Sequence, residues 1–165
     1  MGRLPYSTKG TNSVAIGTNA IASGAASVSI GDRNIVNSNK AMAIGQGNIV
    51  EGSQSLSVGY SNRLYEDSYN SICAGSLNVA KSEYSVIFGH DNTINMPDGF
   101  TTGDHNTVKN YTCSIFGSHN IATGAYSLIS GCYNIKDTAP KWTSETSYAV
   151  DDKVTDKYGM IYKCI

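Results

Sequence analysis

The chain has 165 residues, of which 15 % are charged, and its net charge is −1. That balance offers no basic field to nucleic acid or to an anionic membrane surface, so neither is an expected partner. No run approaches the roughly eighteen apolar residues of a membrane helix, and the first ten residues lack the apolar core of a signal peptide, so no membrane insertion or visible export leader is expected.

Residues 1–11 read as an N-terminal arm. From there to residue 136 a glycine closes one short apolar run after another, at Gly17, Gly31, Gly45, Gly59, Gly75, Gly89, Gly103, Gly117 and Gly131. The interval is fourteen residues throughout, except for sixteen between Gly59 and Gly75. Asparagine stands three positions after the glycine at Asn34, Asn48, Asn62, Asn78, Asn92, Asn106, Asn120 and Asn134. The first coil has Asn19 and Ala20 there instead. So strict a period describes one small unit stacked on itself.

The residues ahead of each glycine alternate small and large, as in Ser27-Val28-Ser29-Ile30 and Ala41-Met42-Ala43-Ile44. Alternation at this period is that of a strand with one bulky and one slim face. A second strand follows each asparagine, with an inward column at Ala22, Val36, Val50, Leu64, Ala80, Ile94, Val108 and Ala122 that turns charged at Lys136. Each coil therefore holds two strands of about five residues and two tight turns.

Glycine supplies left-handed backbone angles and asparagine tolerates them next best, so the Gly-x-x-Asn column is expected to mark one turn. Gly24, Gly52 and Gly124 mark the other, where Pro97-Asp98-Gly99 supplies the same function. The two extra residues fall in that second turn, within Tyr65-Glu66-Asp67-Ser68-Tyr69-Asn70. Stacked strands give a thin rod of roughly 40 Å. Both faces of the pre-glycine strand are uncharged, and a two-stranded coil can bury only one of them. The other face must meet another copy, so the chain is expected to be an obligate oligomer with itself as partner.

The elements Ser13-Val14-Ala15-Ile16-Gly17, Ser27-Val28-Ser29-Ile30-Gly31, Ala41-Met42-Ala43-Ile44-Gly45 and Ser55-Leu56-Ser57-Val58-Gly59 resemble the head repeats of trimeric autotransporter adhesins. Similar repeats occur in bacteriophage fibres. The resemblance covers residues 12–136 and implies an all-β fold. That fold is a left-handed parallel β-roll solenoid of about nine 14-residue coils, assembled as a homotrimer around a threefold axis. Later coils drift, with Phe or Thr where Ile is expected around Phe100-Thr101-Thr102 and Ile115-Phe116, so the core there is expected to be rearranged.

Residues 137–165 break the period and read as a linker and a small aromatic-rich β segment. The order Trp142, Tyr148, Asp151-Asp152, Val154, Tyr158-Gly159, Tyr162 resembles the opening half of small chitin-binding modules. That resemblance implies glycan contact through Trp142, Tyr148, Tyr158 and Tyr162, since an aromatic face stacks on the C–H side of a sugar. A cap on the end of the roll is the competing role, because a terminal coil otherwise exposes a strand edge.

No catalytic constellation is visible, and no cofactor or enzyme activity is expected. The serines lie in repeat columns, Gly45-Gln46-Gly47-Asn48 lacks the Lys and helix of a phosphate loop, and Asp151 and Asp152 should point to opposite faces. Cys73, Cys113, Cys132 and Cys164 share no column and no Cys-x-x-Cys spacing, so they read as small fillers standing in for Ser or Ala. His105 and His119 share a column two after the glycine, and His90 sits one place off. Were that column on the threefold axis, its imidazoles could hold a metal. Its other members, Asn19, Arg33, Gly47, Ser61, Leu77, Asp91 and Tyr133, describe a solvated turn instead, so no metal is expected.

These readings lead to a homotrimeric structural and receptor-binding fibre, expected on a virion as a bacteriophage tail or head fibre, with other virion proteins and a host cell-surface glycan as further partners. The alternative is the head of a bacterial trimeric surface adhesin, placed on the bacterial cell surface. A spacer of a carbohydrate-active enzyme is a third reading.

Overall fold

The fourteen-residue period becomes one coil of a parallel β-solenoid. The computed structural model describes residues 10–134 and the backbone of residues 135–136, 153–155 and 161–163. The first strands are β1 (Val14–Ile16), β2 (Ile21–Ala22), β3 (Val28–Asp32), β4 (Ile35–Val36), β5 (Met42–Gln46), β6 (Ile49–Val50), β7 (Leu56–Tyr60), β8 (Arg63–Leu64) and β9 (Ile72–Ser76). They continue as β10 (Val79–Ala80), β11 (Val86–His90), β12 (Thr93–Ile94), β13 (Phe100–Asp104), β14 (Thr107–Val108), β15 (Ser114–Ser118), β16 (Ile121–Ala122), β17 (Leu128–Cys132) and β18 (Ile135–Lys136). Odd and even strands form two separate nine-stranded sheets. Every pairing in both is parallel, and the described residues contain no helix.

Register follows the period. Val28 pairs with Met42 and Gly31 with Gly45, whereas across the longer interval Leu56 pairs with Ile72. The two extra residues are absorbed in the second turn, where the Ser68 backbone N–H donates to Tyr65 O at 2.9 Å and the Ser68 hydroxyl to the same carbonyl at 2.6 Å.

The slim face of the long strand points inward. Ser29, Ala43, Ser57 and Cys73 are fully buried, as are Val36, Val50, Leu64 and Ala80 on the short strand of the same coils. Volume is balanced within a coil, with Ser57 sharing one with Leu64 and Ile115 one with Ala122. Where Ile87 and Ile94 share a coil, the coil before it carries the small pair Cys73 and Ala80. A close-packed interior this narrow tolerates large residues only where a neighbour is small. The expected disruption at Phe100 and Phe116 does not occur. Both point outward, Thr101 and Ile115 take the inner positions, and the register Thr101↔Ile115 is unbroken.

Three expectations about the coil need correction. The short strand spans two residues rather than five, because the chain must turn at both ends within one coil. At the second turn the left-handed angles belong to Ala26, Lys40, Gln54, Asn70 and Tyr84, not to glycine. Gly24 is there for room, since a Cβ on it would lie 1.8 Å from Ser38 O on the next coil.

The third correction concerns asparagine. The repeat glycine does take a left-handed angle, +124° at Gly89, and the residue two after it does too, but none of Asn34, Asn48, Asn62, Asn78, Asn92, Asn106, Asn120 or Asn134 does. These side chains instead run through the roll as a hydrogen-bonded ladder, and those from Asn34 to Asn120 are buried. Asn78 Nδ2 donates to Asn62 Oδ1 at 3.0 Å and to Gly89 O at 2.7 Å, and Asn78 Oδ1 accepts from the Asn92 backbone N–H at 3.1 Å. A carboxamide is needed because the position must donate and accept at once.

Two stability predictions follow from this interior. Replacing Asn78 by Ala strands several buried partners and should cost about 3 kcal/mol, seen as an earlier urea midpoint. Asn78→Asp should be no better, since a carboxylate cannot donate to Gly89 O. Thr101 is fully buried with no partner for Oγ1, between Ile87 and Ile115 in its column. Thr101→Val should therefore raise stability by about 1 kcal/mol, and a lowered midpoint would contradict the packing described.

Candidate functional site

Because the slim face fills the roll, the bulky face of the long strands is left outside. One outward column runs Val14, Val28, Met42, Leu56, Ile72, Val86, Phe100, Ser114, Leu128, and the other Ile16, Ile30, Ile44, Val58, Ala74, Phe88, Thr102, Phe116, Ser130. Neither contains a charge. All of these side chains are half-buried or exposed in the single chain, with Ile16 at 55 % and Leu128 at 73 %. Phe100 bridges its neighbours, its ring centroid lying 6.3 Å from Phe88 and 5.4 Å from Phe116. At about 4.8 Å per strand the strip is about 40 Å long. It forms an uncharged surface that runs the length of the long-strand sheet.

The outer face of the short strands carries Ile21, Ile35, Ile49, Arg63, Val79, Thr93, Thr107 and Ile121, all half-buried. Its one charge, Arg63, pairs with Glu51 just beyond β6 at 3.2 Å, and its guanidinium lies 4.4 Å from the Tyr65 ring centroid.

The turn after each glycine gathers polar and aromatic side chains. His105 stacks on His119 at 4.8 Å and 7° between planes, and His119 on Tyr133 at 4.7 Å. Asp104, invisible to a reading of histidine columns alone, lies between two imidazoles: its Oδ1 is 2.7 Å from His90 Nδ1 and its Oδ2 2.8 Å from His105 Nδ1. Hydrogen bonding to His90, then to His105, holds this carboxyl below the usual carboxylate range. At the other turn Tyr69 and Tyr84 meet edge to face at 6.0 Å, and a hydrogen bond to Glu83 pushes the Tyr69 phenol up to about 12.

Cys73 and Cys113 behave as column substitutes. Cys73 sits in the inner column between Ser57 and Ile87, and burial pushes its thiol up to about 12. Cys113 takes a serine position and its Sγ lies 3.1 Å from Gly124 O. Cys132 is exposed, and Cys73, Cys113 and Cys132 are all free thiols.

The expected glycan contacts fall almost wholly elsewhere. Trp142, Tyr148 and Tyr158 lie outside the described residues. Tyr162 belongs to β20 (Ile161–Lys163), which pairs antiparallel with β19 (Lys153–Thr155) so that Tyr162 stands opposite Val154.

Residues 9–34 and 38–62 match, as two copies, the family model of the YadA head domain repeat. The coils in these two stretches are repeats of the trimeric autotransporter adhesin head type. The matched stretches lie in the coils with the most regular outward column of Val, Met, Leu and Ile, and the same register and asparagine ladder carry the architecture on to Asn134. No curated protein matches the chain. Repeats of this type indicate a structural domain.

The placement of the thiols gives a direct check on the inside and outside of the coil. In the folded protein with Cys164→Ser, an aromatic disulfide reagent at pH 8 should titrate Cys132 readily and reach Cys73 and Cys113 only after addition of guanidinium.

Proposed function

We propose that the chain is a homotrimeric attachment head, a stiff rod that displays variable turns at a surface outside the cell. The observation that carries this reading is the uncharged strip on the outside of the long-strand sheet. Its area is of the order of 400 Å², a patch as large as a soluble monomer ordinarily leaves exposed, and it is contiguous along the whole rod. Three copies set side by side would bury it, and an identical surface on each copy closes naturally under rotational symmetry.

The repeat type favours a bacterial surface adhesin as the setting. Similar repeats in phage fibres and the off-column cysteines favour the virion expected from sequence, but the matched family model is that of an adhesin head, so the bacterial cell surface becomes the preferred place of display. Both turn columns would then face outward, available to a receptor. Residues 137–165 are proposed as the glycan-contacting element, on their likeness to half of a chitin-binding module. No catalysis is proposed.

Sedimentation of the full chain should give three times the 17.5 kDa chain mass. Ile44→Lys, on the outward column, should shift that distribution towards smaller species while leaving the coil core and the β signature of the circular dichroism spectrum in place. A well-folded monomer at micromolar concentration would overturn the trimer. Deleting residues 137–165 should abolish binding to immobilised chitin oligosaccharide, and unchanged binding would remove that segment from the attachment reading.

A further inference from the structure

We propose that the turn joining β11 to β12 and the turn joining β13 to β14 together form a divalent transition-metal site, with His90, Asp104 and His105 as ligands. Sequence spacing does not suggest it, because the three side chains come from two coils and the central one is a carboxylate. Their ligand atoms all lie within 4.8 Å of one another.

The coil fixes this arrangement. His90 and Asp104 are register partners on neighbouring strands, so their side chains stand on the same face. His105 is locked in the left-handed region, at φ 53°, and its backbone N–H donates to His90 O at 3.0 Å. The backbone of Asp91 is held likewise, its N–H donating to Ser76 O at 2.9 Å. A cradle of this kind is set by coil-to-coil hydrogen bonds rather than by a free loop.

Counting protons shows how a metal would fit the existing contacts. His105 presents Nδ1 to Asp104 Oδ2 at 2.8 Å and Nε2 to Asp91 Oδ2 at 3.1 Å. A neutral imidazole has a single N–H, so the two contacts are satisfied together either by an imidazolium or by a neutral ring with a cation on its Nδ1. A metal at Asp104 supplies the second arrangement. The Nδ1 lone pairs of His90 and His105 and one Asp104 oxygen then point at the metal, and His105 Nε2–H donates to Asp91. A ligating histidine whose far N–H is held by a carboxylate is the usual outer support of a metal site.

Two imidazole nitrogens and one carboxylate suit zinc, cobalt, nickel or copper in preference to magnesium or calcium. Tetrahedral bonds of about 2.05 Å place ligand atoms about 3.3 Å apart, so the two hydrogen-bond separations would open by about half an ångström while the widest ligand-atom separation, within 4.8 Å, closes towards the same value. The four side chains are 42–47 % exposed, which leaves room for that movement and for water in the remaining position. A metal here clips one coil to the next and stabilises the roll by mass action.

The test uses the full, tag-free chain, stripped with chelator and carrying Cys132→Ser and Cys164→Ser so that no exposed thiol competes. Titration with cobalt(II), followed by its visible absorption, and with zinc by calorimetry should each show one equivalent per chain. His90→Ala and Asp104→Asn should each weaken zinc binding at least tenfold, and Asp91→Asn about tenfold through loss of the outer support. His119→Gln, outside the ligand set, should change nothing. Thermal unfolding of each stripped variant, matched to that of the stripped parent, shows that the roll itself is intact. Absence of saturable one-to-one uptake, or a loss under tenfold when His90 or Asp104 is replaced, overturns the site.

Discussion

The column of buried asparagines is the interaction on which the rest of the roll depends. Each carboxamide from Asn48 to Asn134 donates to the Oδ1 of the asparagine before it, and those as far as Asn120 also reach the glycine carbonyl of the next coil. The ladder therefore ties side chain to side chain and side chain to backbone in the same step. It continues across the sixteen-residue coil, where Asn78 Nδ2 still reaches Asn62 Oδ1 at 3.0 Å. That continuity explains why two extra residues could enter the second turn without shifting any strand. An interior only two side chains wide contains little apolar volume, so polar groups that satisfy one another in a fixed spacing do much of the specifying.

A coil so thin has a further consequence. The strand must place alternate residues on opposite faces, and only the slim set fits between the two sheets. Val28 and Ile30 are thus left outside because Ser29 is inside. The same packing rule that builds the rod also creates the uncharged strip that a partner copy would cover. Fold and assembly are in that sense one constraint, with stability rising coil by coil as in other stacked repeats.

The turns are where this constraint relaxes. Their backbone angles are held by hydrogen bonds between coils, so the left-handed position accepts Arg33, Ser61, Leu77, Asp91, His105 and Tyr133 alike. Residues there can vary without cost to the core, which is the usual arrangement for sites grafted on a rigid scaffold. The stacked His105, His119 and Tyr133 and the Asp104 carboxylate between two imidazoles are local inventions of this kind.

The period of glycine, the small–large alternation and the inward column from Ala22 to Ala122 together determined the solenoid, the two-sheet coil and the burial of the second column. These are one-dimensional features, because each residue's environment repeats with the chain. What the linear order could not decide was direction and partnership. Whether asparagine served the turn or the interior depended on which way its side chain pointed, and whether the slim or the bulky set faced inward depended on the gap between two sheets. The meeting of His90, Asp104 and His105 likewise required a register between coils, since residues fourteen apart become neighbours only once the strands are stacked. Sequence set the repeat; stacking decided which atoms it brought within bonding distance.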